Sequence, residues 1–571
     1  MTIFRYLCHE KSFILYAIIK IGEPSISGGL FVKSLFGGRL SIISEYFIYL
    51  LAIVITIAIF VLNFQYTTFT YSSWYPLIFD NSFLSSLAKV IIALLLITLL
   101  GLFIKHLNRK YITPLIVLIN LVTLILRILI INGFNNFPVA DSWHVFNGAN
   151  VLFFTEDIRP LYIGNYFALY PQQLGIVTLL YPFALFFKEN INAYYQAQVI
   201  LIQVAILLLT LSSYKLKGLK AAFITTLFLN LFIPNYFVPF LIYGDLYAML
   251  FLTITFVVFA YRDVFSSKPF LYYGLVILCL SLAYLARLST NVFVLAIIFT
   301  AFISFRMSSK LFIRIALLMS TIILPFMLIT NFFNVQDVEL GKYAFPTNTW
   351  LRLGLGYSGF DEKTPGYHDI KTDIEFRNVG YDAQAMSKIN QTVIDKQLRI
   401  FQDPGKALDF FKQKTIIMWT DPDFEMMTLI VPFKGSKIED PRKTYQEINY
   451  GFGAIDLSVK TDFGNLLTEN YYVIRKYEKV FMFSILILLL LSFLKAKKDD
   501  QVALYARLIL IGFFLLHLLI EIKSRYVFVC VNALILYVSL YFTEYFDDVS
   551  LRISLVLKRL IKKEGIGNDI K

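Results

Sequence analysis

Long apolar segments separated by short polar ones run through most of this chain. Twelve of them are long enough to cross or nearly cross a bilayer as helices: 46–64, 87–104, 112–131, 193–214, 221–242, 246–261, 270–286, 288–305, 311–330, 480–494, 502–520 and 526–542. Because backbone groups in lipid must find hydrogen bonds within the protein, such segments are helical. The pattern predicts an all-α polytopic membrane protein with 12 crossings.

The composition agrees with this prediction. Of 571 residues, 58% are hydrophobic and only 16% are charged, whereas about 25% charge is usual in soluble proteins. The net charge of +13 is expected in cytoplasmic loops, and no basic stripe with interleaved aromatic residues suggests a nucleic-acid partner. The three cysteines, Cys8, Cys279 and Cys530, show neither zinc-binding nor disulfide spacing.

Basic residues set the orientation of the chain. They cluster at 105–110, 215–220, 262–268, 306–314, 495–498 and 552–563. The positive-inside tendency places these clusters in the cytoplasm, with both termini inside and the active face outside the cell membrane. This assignment of the loops to the two sides of the membrane holds only if segment 174–187 does not cross the bilayer. Since that segment is short, follows Pro171 and contains Pro182, we expect a re-entrant or juxtamembrane hairpin on the outer face.

The same reasoning divides the chain into five parts. These are a cytoplasmic or interfacial N-terminal segment (1–42), a membrane domain (43–331) with a catalytic loop (132–192), an extracytoplasmic domain (332–479), C-terminal membrane helices (480–543) and a cytoplasmic tail (544–571). A disordered tail is the alternative for residues 1–42. The domain at 332–479 is predicted to be small and mixed or α-rich, with helices at 383–401 and 407–419 that are separated by Asp403-Pro404-Gly405.

A set of charged residues falls at the predicted outer face of this otherwise apolar protein. Its members are Asp141, Asp245, Arg287, Glu521, Lys523 and Arg525, with Arg127 near the outer end of its segment. A charge in the middle of a membrane helix costs about 2.5–3.5 kcal/mol, so such residues usually face an interior cavity. Sugar transfer from a lipid phosphate needs a carboxylate base and cations that hold the departing phosphate. This set could supply both.

The order of these residues resembles that of a known family. The matching positions are Arg127, Asp141, Tyr170-Pro171-Gln172-Gln173-Leu174-Gly175, Asp245 and Glu521-x-Lys523-x-Arg525-Tyr526. They are similar to motifs of the GT-C superfamily of integral-membrane glycosyltransferases, and more closely of its protein mannosyltransferase-like (family 39) branch and related Gram-positive enzymes. The resemblance implies a hexosyltransferase, a polyprenyl-phosphate sugar donor in the membrane lipid, and an extracytoplasmic glycan, polymer or lipid acceptor.

The chain also departs from the family pattern. Two apolar segments precede the helix that comes first in the family, and Gln172-Gln173 stands in place of a second proline. Ser142 follows Asp141 where the family often has an acidic pair, which weakens the case for a divalent metal. The resemblance implies that monosaccharide-transferring members act without one, so no cofactor is expected.

Each assigned role has a structural alternative. Asp141 is the expected general base, or a helix N-cap. Asp245 is expected to position a cation or the acceptor, or to mark a turn. Arg287, Lys523 and Arg525 are the expected phosphate ligands, although Arg287 could anchor its helix at the interface and Glu521 could pair with Arg525 across one helical turn.

The remaining candidates are substrate-binding or orienting residues. Arg127 is expected to orient the site or to pair with Asp141 or Asp245 inside the bundle. Gln172 and Gln173 could bond a sugar or the hairpin backbone. Trp350 and Trp419 are possible sugar-stacking residues, whereas His144 and His368 lack a second ligand at metal spacing and are expected to be ordinary polar residues.

Two other functions are compatible with a polytopic membrane protein that has charged residues of this kind. A 12-helix transporter or flippase of lipid-linked sugars usually has two similar halves and a site at the bilayer midplane, whereas here the halves differ and the polar groups gather at one face. A polysaccharide polymerase would act on lipid-linked repeat units at a similar site. We therefore expect inverting transfer of a sugar from a polyprenyl-phosphate donor.

Overall fold

The structure is a computed structural model that describes residues 37–70, 76–134, 138, 141–153, 157–304, 309–333, 338, 340–358, 364–427, 459–496 and 500–563. The predicted interfacial helices of the N-terminal segment fall almost entirely outside these residues. So do residues 428–458 of the predicted extracytoplasmic domain.

The described residues are almost entirely helical. The first half contains α1 (Gly37–Gln65), α2 (Phe83–His106), α3 (Arg109–Gly133), α4 (Asp141–Phe153), α5 (Tyr166–Leu169), α6 (Leu174–Leu179), α7 (Tyr181–Phe187), α8 (Ile191–Lys217), α9 (Leu219–Leu231), α10 (Pro234–Phe237) and α11 (Gly244–Ala260). The second half contains α12 (Pro269–Ala286), α13 (Asn291–Ser304), α14 (Ser309–Phe333), α15 (Asn348–Leu355), α16 (Ile370–Asn378), α17 (Ala383–Ile400), α18 (Pro404–Trp419), α19 (Asp462–Glu469), α20 (Tyr471–Lys495), α21 (Gln501–Leu519) and α22 (Phe528–Lys563).

Short 3₁₀ turns and two small hairpins connect the helices. The turns are Arg159–Leu161, Pro171–Gln173, Val238–Phe240, Arg262–Phe265, Leu288–Thr290 and Ser524–Val527. The strands β1 (Tyr66–Thr70) and β2 (Pro76–Asp80) pair antiparallel with Tyr66 opposite Asp80, and β3 (Tyr357–Ser358) pairs antiparallel with β4 (Thr364–Pro365).

Where the structure describes them, all 12 predicted apolar segments are mainly helical. Within the described ranges, nine helices are long and apolar enough to cross a membrane: Ile43–Gln65, Phe83–His106, Arg109–Gly133, Ile191–Lys217, Pro269–Ala286, Leu311–Phe333, Tyr471–Lys495, Gln501–Leu519 and Ser524–Glu544. Leu219–Leu231 and Pro234–Phe240 form a tenth that bends by 67°, and Gly244–Ala260 and Leu288–Ser304 are shorter apolar helices. The protein is therefore an all-α polytopic membrane protein.

Burial separates the centre of the bundle from its periphery. Within the apolar windows of α20 and of Ser524–Glu544, 72% and 83% of residues are buried by other parts of the protein. In α2 the share is 17%, so most of its apolar surface is left for lipid. The first and the last helix of the predicted C-terminal membrane part thus form the core on which the other helices pack.

The predicted hairpin at 174–187 forms two short helices, α6 and α7, which meet at Leu180. At 1.5 Å per residue, neither helix covers a bilayer of about 30 Å. A Cβ atom on Gly175 would lie 2.3 Å from the carbonyl oxygen of Leu285, so the hairpin packs its backbone directly against the end of α12. This contact brings the proline turn beside the charged residues described below.

The polar segment before the last three membrane helices is α-rich in its described part. The predicted helices at 383–401 and 407–419 are present as α17 and α18. Asp403 caps α18 by accepting a hydrogen bond from the backbone N–H of Gly405 (2.9 Å). The following membrane helix begins at Tyr471, ahead of the predicted start at 480, and α22 continues to Lys563, past the predicted end at 543.

Candidate active site

Asp141 is the first residue of α4 and contacts groups from two distant parts of the chain. Its Oδ2 lies 3.2 Å from Nη2 of Arg525, and its Oδ1 accepts a hydrogen bond of 3.1 Å from the Tyr166 hydroxyl. About a third of the side chain stays exposed (31%). The carboxylate is therefore oriented by two donors and still open to a ligand.

The surroundings of Asp141 keep it ionised. Burial by itself raises the pKa of its carboxyl, but the positive charges of Lys523 and Arg525 outweigh burial and hold the pKa below its ordinary value. Burial and the Asp141 charge raise the pKa of Tyr166 well above its ordinary value, so this phenol remains a donor. A general base must accept a proton, and Asp141 is in the required unprotonated state.

Aromatic side chains continue from Asp141 toward the polar segment. The rings of His144 and Tyr166 stack with centroids 4.2 Å apart, Tyr166 contacts Tyr170 at 5.0 Å, and Tyr170 contacts Trp350 at 6.1 Å. Trp350 is half-buried at the end of this row. Trp419, the other predicted sugar-stacking residue, is only 2% exposed, so its role in stacking on a substrate is not supported.

Asp245 and Arg287 form a buried, two-pronged ion pair. Nε of Arg287 lies 3.0 Å from Oδ1 of Asp245, and its Nη1 donates to Oδ2 at 3.0 Å. Arg287 and Arg525 both lie against the rings of Tyr243 and Tyr526, at 4.9–5.8 Å from guanidinium carbon to ring centroid. The Asp141–Arg525 and Asp245–Arg287 pairs therefore share one site.

A glycine makes this arrangement possible. Gly244 precedes Asp245 at the start of α11, and a Cβ atom there would lie 1.8 Å from the carbonyl oxygen of Ala286. The backbones of α11 and α12 touch at this point, immediately before Arg287. Only a residue without a side chain permits the contact that sets Asp245 opposite Arg287.

The predicted late motif forms the loop between α21 and α22. Glu521, Lys523 and Arg525 are all nearly buried, at 6%, 7% and 4% exposure. Residues 521–523 are not helical, so the alternative pairing of Glu521 with Arg525 across a helical turn does not form. Arg525 pairs with Asp141 instead, and Glu521 accepts a hydrogen bond of 3.4 Å from Tyr526.

Lys414 of α18 holds this loop from the polar segment. Its buried ammonium donates to the carbonyl oxygens of Leu518 (2.9 Å) and Ile520 (2.7 Å), and to that of Gly354. The N–H of Ile522 also donates to the Gly366 carbonyl oxygen at 2.7 Å. These bonds close the end of α21 and fix the direction in which the loop leaves it.

Buried carboxylates hold the next residue of the loop. The Ser524 hydroxyl donates toward Asp421 (3.0 Å) and Glu425 (3.1 Å), and its N–H donates to Glu425 at 3.0 Å. Glu425 also accepts from the Tyr367 hydroxyl at 3.1 Å. Sequence reasoning missed these residues. The available signal was the run Asp421-Pro422-Asp423-Phe424-Glu425, which places three acidic side chains in five positions next to a tryptophan.

Arg127 does not belong to this site. It is fully buried, and it donates to the Asn235 carbonyl oxygen (3.3 Å), to Oδ1 of Asn230 (2.9 Å) and to Gln203. The expected pairing with Asp141 or Asp245 is wrong, because both carboxylates pair with other arginines. Arg127 instead ties α3 to α8, α9 and α10.

The proline turn reaches the site through one of its glutamines. Gln173 donates from Nε2 to the hydroxyl of Tyr243, whose ring lies against both arginines. Gln172 is half-buried in the same 3₁₀ turn. The turn therefore orients an aromatic side chain of the site, and a direct contact of either glutamine with a sugar stays a prediction.

His368 has an ordinary polar contact, and the expectation that neither histidine binds a metal stays a prediction. His368 lies 3.0 Å from Oδ2 of Asp373. Burial lowers its pKa, but the hydrogen bond and charge of Asp373 outweigh this and raise the pKa above its ordinary value. Among the residues that the structure describes, no group of three or more His, Cys, Asp or Glu side chains could hold a metal ion. The expected lack of a cofactor stays a prediction.

Comparison with known proteins gives little beyond this geometry. No model of a known protein family matches the chain, and no curated protein matches it. Among solved structures, it is similar to the apo form of the Archaeoglobus fulgidus oligosaccharyltransferase, with a TM-score of 0.38, 14% identity, and coverage of 82% of this chain and 53% of that chain. The same archaeal enzyme, AglB, in complex with an inhibitory peptide and a dolichol-phosphate matches with a TM-score of 0.34, 15% identity and the same coverage. This chain thus spans about half the length of those proteins, and TM-scores of this size are too low to carry an argument about fold or function.

Proposed function

We propose that this protein is a membrane glycosyltransferase of the GT-C type, which moves a sugar from a polyprenyl-phosphate donor to a hydroxyl acceptor outside the cell membrane. The observation that carries this proposal is the meeting of an ionised, partly open carboxylate, Asp141, with the cationic groups of Arg525 and Lys523. These groups come from loops 384 residues apart. A base and phosphate ligands at one membrane face are what transfer from a lipid phosphate requires.

The proposed reaction is a single inverting displacement. Asp141 accepts the proton as the acceptor O–H bond breaks, and the acceptor oxygen forms a bond to the anomeric carbon of the sugar. The bond from that carbon to the phosphate oxygen breaks at the same time, and its electron pair leaves with the lipid phosphate. The configuration of the anomeric carbon, whether α or β in the donor, is inverted in the product, because the acceptor attacks and the phosphate leaves on opposite faces of the sugar.

The departing phosphate needs positive charge that is already in place. Arg525 and Lys523 lie in the loop next to Asp141 and supply this charge. Arg287 uses Nε and Nη1 for Asp245, so in this proposal its Nη2 remains to bind the same phosphate. In this proposal Asp245 orients Arg287 and does not itself take a proton.

The acceptor is proposed to be a cell-wall polymer, a polysaccharide or a lipid of a Gram-positive bacterium. The motif order that resembles family 39 enzymes supports this choice. The half-buried Trp350 at the end of the aromatic row from Asp141 supports a carbohydrate contact, because flat aromatic faces pack well against the apolar faces of sugars. The polar segment 340–427 would dock the acceptor at this edge.

Asp141→Asn in cells tests the proposal. The amide keeps the shape of the carboxylate but cannot take the proton, so transfer falls by about 10²–10⁴-fold. We would measure the sugar content of surface polymers and the pool of polyprenyl-phosphate sugar by mass spectrometry, at matched amounts of protein in the membrane. The expected result is loss of surface sugar together with accumulation of the lipid-linked donor.

Asp157→Asn is the matched control. Asp157 lies in the same predicted loop and pairs with the exposed Arg159, so surface sugar and the donor pool stay at native levels. Normal surface sugar in the Asp141→Asn cells would overturn the assignment of the base. Unchanged polymer and lipid pools in cells that lack the protein altogether would overturn glycosyl transfer and favour transport.

A further inference from the structure

A large cavity lies at the end of the bundle opposite the candidate active site. Its volume is about 830 Å³, and it lies among α11, α12, α13, α14 and the start of α21. The Asp245–Arg287 pair stands at one end of α11 and α12, and the turn Arg262–Phe265 stands at the other. Since α11 has 17 residues, the two ends are about 25 Å apart, close to the thickness of a bilayer core.

The walls of this cavity are mainly apolar. Phe256, Val276, Ile297 and Leu318 are among the lining residues. A second, apolar cavity adjoins it deeper in the bundle and shares Phe256 and Ile297 as lining residues. Apolar space of this kind between membrane helices suits hydrocarbon chains rather than a small polar solute.

The mouth of the cavity carries two arginines. Arg262 and Arg314 both line it. Asp263, which also lines the cavity, pairs with Lys215 at 2.7 Å. Asp500, next to the lining residue Gln501, caps α21 by accepting a hydrogen bond of 3.0 Å from the N–H of Val502. Within the described part of the chain, neither arginine has an acidic partner, and the guanidinium of Arg314 lies 5.7 Å from the centre of the Tyr273 ring.

We propose that this cavity is a binding site for an anionic phospholipid, distinct from the donor site. The two arginines would bind the two non-bridging oxygens of the head-group phosphate, since the guanidinium group matches phosphate oxygens. The acyl chains would fill the apolar space below. The buried Thr300 hydroxyl lines the cavity and has no hydrogen-bond partner among the described groups, which leaves a polar contact for the ester region of the lipid. This inference does not depend on the proposed glycosyl transfer.

The test is lipid binding by the purified full-length protein in discs of phosphatidylcholine. Phosphatidylglycerol is titrated in, and the bound lipid is counted by native mass spectrometry. Replacing both arginines with glutamine (R262Q, R314Q) should weaken phosphatidylglycerol binding by about tenfold or more, because both charged contacts to the head-group phosphate are lost. The matched control K105Q with R109Q removes two exposed charges at the same end of the bundle, outside the cavity, and should stay within about twofold of the native protein.

A second variant keeps the proposal testable if the double substitution fails to fold. Ala301→Trp fills part of the cavity and leaves every charge in place, so this variant should bind less phosphatidylglycerol. In a separate measurement, a large excess of inorganic phosphate should not compete with the lipid for the native protein. Equal binding of phosphatidylglycerol and phosphatidylcholine, or equal loss in the arginine and control variants, would overturn the site. Full competition by inorganic phosphate would show a phosphate site without a lipid and would overturn it as well.

Discussion

Among single residues, Lys414 offers the sharpest test of how the loop between α21 and α22, which is proposed to bind phosphate, is held in place. It is nearly fully buried, and its ammonium donates to the carbonyl oxygens that end α21. Lys414→Met keeps the length of the side chain and removes all of these bonds. We expect the loop that carries Lys523 and Arg525 to shift, so that KM for the lipid donor rises more than kcat falls. Lys406→Met, at an exposed position of the same helix, should change neither constant.

The charge of Lys414 also gives a prediction for pH. Burial lowers the pKa of Lys414 to about 7, from an ordinary value of 10.5. Between these values the unfolded chain binds one more proton at this position than the folded protein. The free energy of unfolding therefore rises with pH across that window, by at most about 1.4 kcal/mol per pH unit from this group.

Thermal unfolding of the purified protein measures this effect. The difference in Tm between the native protein and Lys414→Met should change between pH 7 and pH 9 in favour of the native protein, and it should be flat below pH 6. The same difference taken with Lys406→Met should not depend on pH. A constant offset for Lys414→Met over the whole range would show that Lys414 keeps an ordinary pKa.

Some residues of the candidate site could be predicted from the sequence, and others could not. The sequence indicated Asp141, Arg525 and Asp245, because a charged side chain beside an apolar membrane segment is energetically costly and usually faces an interior cavity. Lys414 could not, because it meets its partners across about a hundred residues of chain and lies in a polar segment where charges are common. Glu425 was missed although it stands in a conspicuous acidic run, because its partner Ser524 is as distant in the chain. Arg127 looked like a site residue, but uncharged amide groups satisfy it inside the bundle.

At the scale of helices, the contact between α11 and α12 sets the position of the Asp245–Arg287 pair. Gly244→Ala would place a methyl group 1.8 Å from the Ala286 carbonyl oxygen. The two helices must separate, which costs about 1–3 kcal/mol, and the carboxylate moves away from the guanidinium. We expect a lower Tm together with a loss of transfer activity.

Gly274→Ala is the control for this prediction. Gly274 lies in α12 itself, and a Cβ atom there would meet no atom within 4 Å. The substitution should leave activity unchanged and, because alanine favours helix over glycine by about 1 kcal/mol, should not lower Tm. Equal behaviour of the two alanine variants would show that the close contact at Gly244 is not needed.

The positions of the helices were the feature of this protein that the sequence predicted best, and the reason is physical. A segment that is apolar along its whole length can only be buried or face lipid, and the described residues of all 12 apolar segments are mainly helical. The bend of 67° between Leu219–Leu231 and Pro234–Phe240 was not anticipated, although two prolines lie there. The early start of α20 at Tyr471 was also missed, because Arg475, Glu478 and Lys479 make its first turns look like a loop until their buried partners are known.

At the scale of the whole molecule, Arg475 connects three parts of the chain that are distant in sequence. Arg475 contacts Asp421 (3.1 Å) and Asp423 (2.5 Å) from the polar segment and donates to the Thr68 carbonyl oxygen (2.7 Å) of the β1–β2 hairpin. It therefore joins α20 at the centre of the bundle to the first hairpin and to the segment that holds the Ser524 loop. Asp421, which also accepts from Ser524, connects the same cluster to the candidate site.

Arg475→Met tests whether this cluster stabilises the protein as a unit. The substitution keeps much of the side-chain bulk but leaves two fully buried carboxylates without their cation, which costs on the order of 3–5 kcal/mol. If the membrane helices, the hairpin and the polar segment unfold together, Tm of the purified protein falls by several degrees in one transition. Lys476→Met, next along α20 but exposed, should leave Tm unchanged. A second, earlier transition in Arg475→Met, with the main Tm kept, would mean that the polar segment unfolds separately from the bundle, and the candidate site would then be lost before the membrane core.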